Sequence, residues 1–225
     1  MSRNGNAENP LSLALPRRGA ALKVLCLGAH SDDIEIGCGA TILGLVRQGA
    51  DVRWVVFSGD GRRAEEATRS ARLFLGAGAA RRITLHTFRD GFFPAQFAAI
   101  KDACEATATT WRPDLVFTHF RDDRHQDHRV LSDLAWNTFR RQAILEYEIP
   151  KWDGDLATPN VYAPVPERTA QRKVSLLTRA FATQRSKDWF GQEVFFGLMR
   201  LRGMECRSAS GLAEAFYGRK LLFRP

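Results

Sequence analysis

Two short stretches concentrate the groups that can do chemistry. One reads Gly28-Ala29-His30-Ser31-Asp32-Asp33-Ile34-Glu35, the other His119-Phe120-Arg121-Asp122-Asp123-Arg124-His125-Gln126-Asp127-His128. Imidazole nitrogens and carboxylate oxygens at close spacing are ligands for a divalent transition metal. A catalytic zinc site takes three such ligands from the protein and keeps a fourth position open. His30 and Asp33 can supply two of them and His128 the third. The same donors also suit iron, cobalt or manganese. Asp32 is left over beside the ligands, where a general base would take a proton from metal-bound water. Each stretch alone has a plainer explanation: an Asp-Asp pair after a strand can cap a helix, and Asp122-Asp123 can form a solvated turn. Two such clusters in equivalent positions favour one shared site.

Those positions follow from the pattern around them. Residues 22–29 form a near-continuous apolar run of buried-strand length, and 37–48 read as a helix stopped by Gly49. Strands at 51–57, 82–87 and 114–118 alternate with helices at 63–75, 94–111 and 128–141. This alternation predicts βαβ units, hence a parallel sheet with helices on both faces. Ligands of such sheets bind outside the carboxyl ends of the strands. The loops after Ala29 and Thr118 leave such ends, and they hold the two clusters. Beyond Glu148 the pattern weakens across Pro150, Pro159, Pro164 and Pro166. Helices follow at 167–182 and 187–203, and the apolar run 215–223 reads as a strand or a docked tail.

At these residues the chain resembles the PIG-L or LmbE-like metal-dependent de-N-acetylases. Their A-H-P-D-D-E signature is matched by Ala29-His30-Ser31-Asp32-Asp33-Ile34, and H-x-D-H by His125-Gln126-Asp127-His128. The resemblance runs over about residues 22–134. It implies a Rossmann-like sheet and hydrolysis of N-acetyl groups on amino sugars and glycoconjugates. By it, His30, Asp33 and His128 are zinc ligands and Asp32 the general base. His125 would stabilise the oxyanion or protonate the leaving amine, as an imidazolium oriented by Asp127. Arg63, with Glu66 three residues on, and Asp90, before Gly91, resemble the family's substrate-binding groups. Ser31 replaces the family's proline, and Ile34 its glutamate, whose task Glu35 does not inherit. Glu148 and Glu214, with Tyr147 and Trp152, are candidates to line a sugar cleft, while His86 and His119 read as structural.

Pattern and resemblance together give an α/β fold: a Rossmann-like three-layer sandwich with a mostly parallel sheet and a C-terminal α-rich elaboration. Residues 1–20 are polar and read as a flexible tail. Residues 21–225 form a single domain, with a core at 21–148 and a substrate-side elaboration at 149–225. The 225 residues, 44% apolar and 26% charged, exclude a disordered chain, a collagen-like repeat and a coiled-coil rod. No stretch has the length of a membrane span or the form of a signal peptide, so a cytoplasmic protein is expected. Four cysteines without C-x-x-C spacing argue against a thiolate zinc site or redox pair. The net charge of +8 is spread along the chain, and no nucleic-acid module stands out. The expected partner is a small N-acetylated sugar conjugate, with a possible homo-oligomer. The competing readings are a metal amidohydrolase of the same fold acting on a non-sugar amide, and a catalytically silent basic binding module.

Overall fold

The computed structural model describes residues 21–219. The predicted tail, 1–20, and the end of the last apolar run, 220–225, lie outside the described residues.

Seven strands make one sheet: β1 (Lys23–His30), β2 (Asp51–Ser58), β3 (Ile83–Leu85), β4 (Leu115–His119), β5 (Ala143–Tyr147), β6 (Val161–Pro164) and β7 (Ala213–Gly218). Their order is β3-β2-β1-β4-β5-β7-β6. The first five run parallel, and β7 is antiparallel to both β5 and β6. After Lys23, β1 is buried throughout. A strand covered on both faces has no solvent side, so it shows a continuous apolar run rather than alternation.

The helices are α1 (Asp33–Arg47), α2 (Gly61–Leu75), α3 (Phe97–Thr110), α4 (Gln126–Thr138), α5 (Glu167–Ala180) and α6 (Gln192–Glu205). Ile34 and Ile36 of α1, Phe74 of α2, Leu177 of α5 and Phe195 of α6 share one core with Val24 and Val56 of the sheet. Ile100 of α3 and Leu131 of α4 share the other with Leu25, Val55 and Val116. The molecule is therefore a three-layer α/β sandwich, as expected. Among the described residues no helix is long and apolar enough to cross a membrane.

The chain leaves β1 toward β2 on one side, while β4 lies on its other side. That divergence is the switch point at which such sheets open a crevice. β1 ends on His30 and β4 on His119, so both clusters emerge at one edge.

Several elements differ from the sequence pattern: the helix read at 187–203 is α6, which starts only at Gln192, and three others bear on the sheet and the site. Helix α1 starts at Asp33, not 37, because Ile34 and Ile36 are core residues of its first turns; it is broken at Cys38, where φ is −141° and ψ is 18°. Strand β5 was not expected. Its buried Glu146, held by Trp136 Nε1 and Arg219 Nε at 2.7 Å each, interrupts the apolar run. The proline-broken segment yields β6, an edge strand, where Pro164 removes no ladder bond that the sheet needs.

Candidate metal centre

His30, the last residue of β1, is fixed through its backbone, whose N–H donates to Asp33 Oδ2 at 2.6 Å. His128 stands on the first turn of α4, whose N-cap is His125. The structure brings the three predicted ligands together. His30 Nδ1 lies 3.2 Å from His128 Nε2 and 3.3 Å from Asp33 Oδ2, and His128 Nε2 lies 3.6 Å from Asp33 Oδ1. Ligand bonds of about 2.0–2.1 Å in a tetrahedral zinc site separate donor atoms by about 3.3 Å. All three residues are buried.

The outer nitrogens of both rings decide what the inner ones can do. His128 Nδ1 meets Asp123 Oδ2 at 2.9 Å. His30 Nε2 faces Asp90 Oδ1 at 3.0 Å and Asp127 Oδ2 at 3.4 Å. A carboxylate holds the ring proton on its own side, leaving the inner nitrogen with a lone pair. Two such lone pairs and the Asp33 carboxylate then face one another, which is unfavourable without a cation or proton among them. The titration behaviour says the same. Burial pulls His30 down, but the Asp33 charge and hydrogen bonds to Asp127, Asp33 and Asp90 outweigh it and hold the ring well above the ordinary histidine range. Burial and the neighbouring His119 push His128 down to about 3. Asp33 resists its burial because His128, His119 and His30 hold it well below the carboxylate range. The residues present thus fit a divalent ion. Donor atoms within 4.8 Å of one another form three overlapping sets: His30, His125 and His128; Asp33, His119 and His128; His30, Asp90 and Asp127.

Asp32 does not act as a helix cap. It occupies the N-cap of α1 without a side-chain cap bond, and its buried Oδ2 has no partner. Burial and the adjacent Asp33 charge push it up to about 6, within reach of a base working near neutrality.

His125 and Asp127 depart from the expected pairing. The Asp127 carboxylate accepts from the backbone N–H groups of Gly91 (2.6 Å) and Phe93 (3.0 Å) and faces His30. His125 instead accepts at Nδ1 from the Asp127 backbone N–H, 3.3 Å away. Its proton therefore resides on Nε2. Burial and the His30 charge lower its pKa, so the ring is neutral near pH 7 rather than an imidazolium. Asp127 thus faces His30, the first of the predicted ligands, and not the His125 ring.

Arg63 and Asp90 pair with each other on the wall of the same cleft, a space of about 180 Å³ that also reaches Trp152 and Trp189. Hydrogen bonding from His30 heads the causes that hold Asp90 well below the carboxylate range. Glu66 is directed elsewhere, accepting from the backbone N–H (3.0 Å) and hydroxyl (2.6 Å) of Thr183. Of the residues suggested for a sugar cleft, only Trp152 lines it. Glu148 pairs with Arg202 at 2.6 Å and Glu214 with Lys173 at 2.6 Å in the interior, and Tyr147 is buried with its hydroxyl donating to Leu27 O.

Sequence reasoning missed the task of Asp123, and it read His119 as structural. Asp123 is no solvated turn: it is buried, binds His128, accepts from the His125 backbone N–H at 2.8 Å and pairs with Lys151 at 3.0 Å. Its place five residues before His128 was the available signal. His119 stacks on His128 with centroids 3.9 Å apart and stands 3.3 Å from Asp33. Its Nε2 accepts from the Ala29 backbone N–H at 2.9 Å, so that lone pair is occupied and the ring walls the centre.

A family model described as PIG-L: GlcNAc-PI de-N-acetylase matches residues 25–139. The uncharacterized deacetylase YaiS of Escherichia coli (strain K12) is 30% identical over 183 residues, covering 75% of this chain and 94% of that protein. N,N'-diacetylchitobiose deacetylase from Pyrococcus horikoshii aligns with a TM-score of 0.68 and 21% identity, over 89% of this chain and 85% of that one. The 4-carboxy-2-hydroxymuconate hydratase GalB from Pseudomonas putida KT2440 aligns at 0.70 with 15% identity, over 91% and 98%. Those structural likenesses establish the fold alone. A deacetylase and a hydratase share it, so activity has to be argued from the residues in the site.

Proposed function

Because the chain belongs to the PIG-L family, whose model spans both His/Asp clusters, we propose that it is a zinc-dependent hydrolase removing the acetyl group from an N-acetylated amino sugar or glycoconjugate. The observation that carries this reading is the convergence of His30 Nδ1, His128 Nε2 and the Asp33 carboxylate, with the unpartnered Oδ2 of Asp32 nearby.

His30, Asp33 and His128 would hold the ion. Two imidazoles and one carboxylate are a borderline donor set that suits zinc. Bound there, the ion supplies a Lewis acid that polarises the acetyl carbonyl and makes water acidic enough to attack near neutral pH. Asp32 takes the proton of the attacking water, its oxygen free of competing hydrogen bonds. His125 offers its neutral Nε2–H as a hydrogen bond to the oxygen on which charge develops, and the proton that Asp32 took from water passes to the departing amine. Asp127 and Asp123 hold the two ligand rings in the tautomers that binding needs. Arg63 and Asp90, already paired at the cleft wall, present a donor and an acceptor to sugar hydroxyls. Trp152, 69% exposed, has its indole fixed by Asp188 at 2.7 Å, leaving an aromatic face at the mouth for a sugar ring.

The test is acetate release by zinc-loaded protein over a panel of N-acetylated sugars, glycosides and acyl amino acids. Release from the sugars, abolished by a chelator and restored by zinc, is the expected result. Release from acyl amino acids alone would assign the centre to a different amide. No release from any member would overturn the hydrolase reading.

A further inference from the structure

The break in α1 lies one turn beyond the two aspartates of the centre, and something has been built into it. In a continuous helix the Ala40 N–H would donate to the Ile36 carbonyl, four residues back. Here the Ile36 carbonyl accepts from Lys173 Nζ at 2.6 Å, and the Ala40 N–H donates to Glu214 Oε1 at 2.9 Å. The second oxygen of Glu214 accepts from the Thr41 N–H at 2.7 Å, and Lys173 and Glu214 pair at 2.6 Å. A buried ion pair, contributed by α5 and β7, thus stands in the gap of the helical ladder. Both members are almost wholly buried, at 3% and 4% exposure, and neither lines the cleft.

The short segment before the break is gripped on its other side as well. Gly37 packs directly on Tyr147, whose ring would lie 2.2 Å from any added Cβ. Tyr147 is tied to the end of β1 through Leu27 O at 2.6 Å. The Ile36 peptide links the two ends of this arrangement: its N–H donates to the Asp32 carbonyl at 3.1 Å, while the next carbonyl along the chain is the one that Lys173 holds. A straight helix would have its first turn set by the packing of its whole length. A broken one lets five residues take their own direction, provided the exposed backbone groups at the break are satisfied.

We propose that the Lys173–Glu214 pair is a positioning device for the metal centre: by holding α1 open at Cys38 it aims Asp32 and Asp33 at His30 and His128. The proposal rests on the metal reading of that cluster. It gives the C-terminal helices and β7 a task in the chemistry although their side chains stay out of it.

The experiment compares wild type with the double variant Lys173→Met/Glu214→Leu, which replaces the pair by apolar groups of similar size. Such replacements of buried ion pairs are often neutral for folding, but these side chains cannot meet the Ile36 carbonyl or the Ala40 and Thr41 N–H groups. Cobalt(II) binding is followed by competition with a chelator and by the visible spectrum of the bound ion. The expected result is a folded variant with a lowered thermal midpoint, since three backbone groups lose their partners, affinity weakened on the order of 10–100-fold and an altered cobalt spectrum. Glu214→Gln, which keeps acceptor and size, carries the same expectation at the weaker end and serves if the double variant does not fold. A folded variant with wild-type affinity and spectrum overturns the proposal alone. A wild type that takes up no cobalt overturns the metal reading and the proposal with it.

Discussion

Asp32→Asn is expected to lower kcat by about 10²–10⁴-fold, the usual worth of a positioned general base, while the protein keeps its full metal content. Asp32 sits beside the donor atoms but makes none of the short contacts that join His30, Asp33 and His128. Its Oδ2 is buried and unpartnered, so it is free to take a proton. Asparagine has the same shape and cannot take one. Elemental analysis and acetate release on one preparation separate the two roles. Metal loss in this variant would make Asp32 a ligand, and undiminished turnover would remove it from the reaction.

His128→Ala is expected to abolish both stoichiometric metal binding and activity. His128 would supply one of the three proposed protein donors, and its Nδ1 bond to Asp123 leaves Nε2 as the nitrogen facing His30. Alanine removes that donor and strands the Asp123 carboxylate beside Lys151, its remaining charged partner. Asp123→Asn provides the graded comparison. It leaves the ligand in place but no longer fixes its tautomer with a charge, and loss of such a partner costs about 10–100-fold in metal affinity. Titration with zinc in a competing chelator orders the three proteins: wild type tightest, Asp123→Asn weaker, His128→Ala without a measurable site. Equal affinity of the two variants would mean that His128 acts only through Asp123.

Much of this centre could be read from the chain because its chemistry is local. His30 and Asp33 are three residues apart at the end of a strand whose unbroken apolar run announces its burial. His125, Asp127 and His128 follow the next strand of the switch point in the same way. Asp123 was obscured because an Asp-Asp pair in a polar loop looks the same whether it faces solvent or turns inward beneath a helix. The partner of Asp127 was misjudged for a related reason. Proximity in sequence suggested His125, whereas the fold brings His30 within 3.4 Å from the end of another strand. Least legible was the support of α1. Lys173 and Glu214 reach residues 137 and 174 positions away, through a segment whose prolines and weak periodicity disguise β6 and leave β7 undefined. Such long-range ion pairs leave no periodic trace, since each member looks like one more charged residue on an amphipathic element.

The central claim is that one ion unites the two loops. The most direct measurement is a crystal structure of the zinc-loaded protein with anomalous scattering recorded at the zinc edge. A single peak bounded by His30 Nδ1, His128 Nε2 and an oxygen of Asp33, with Asp32 outside bonding distance, is the predicted result. A peak held instead by Asp90 and Asp127, or no peak between the two histidines, would contradict it.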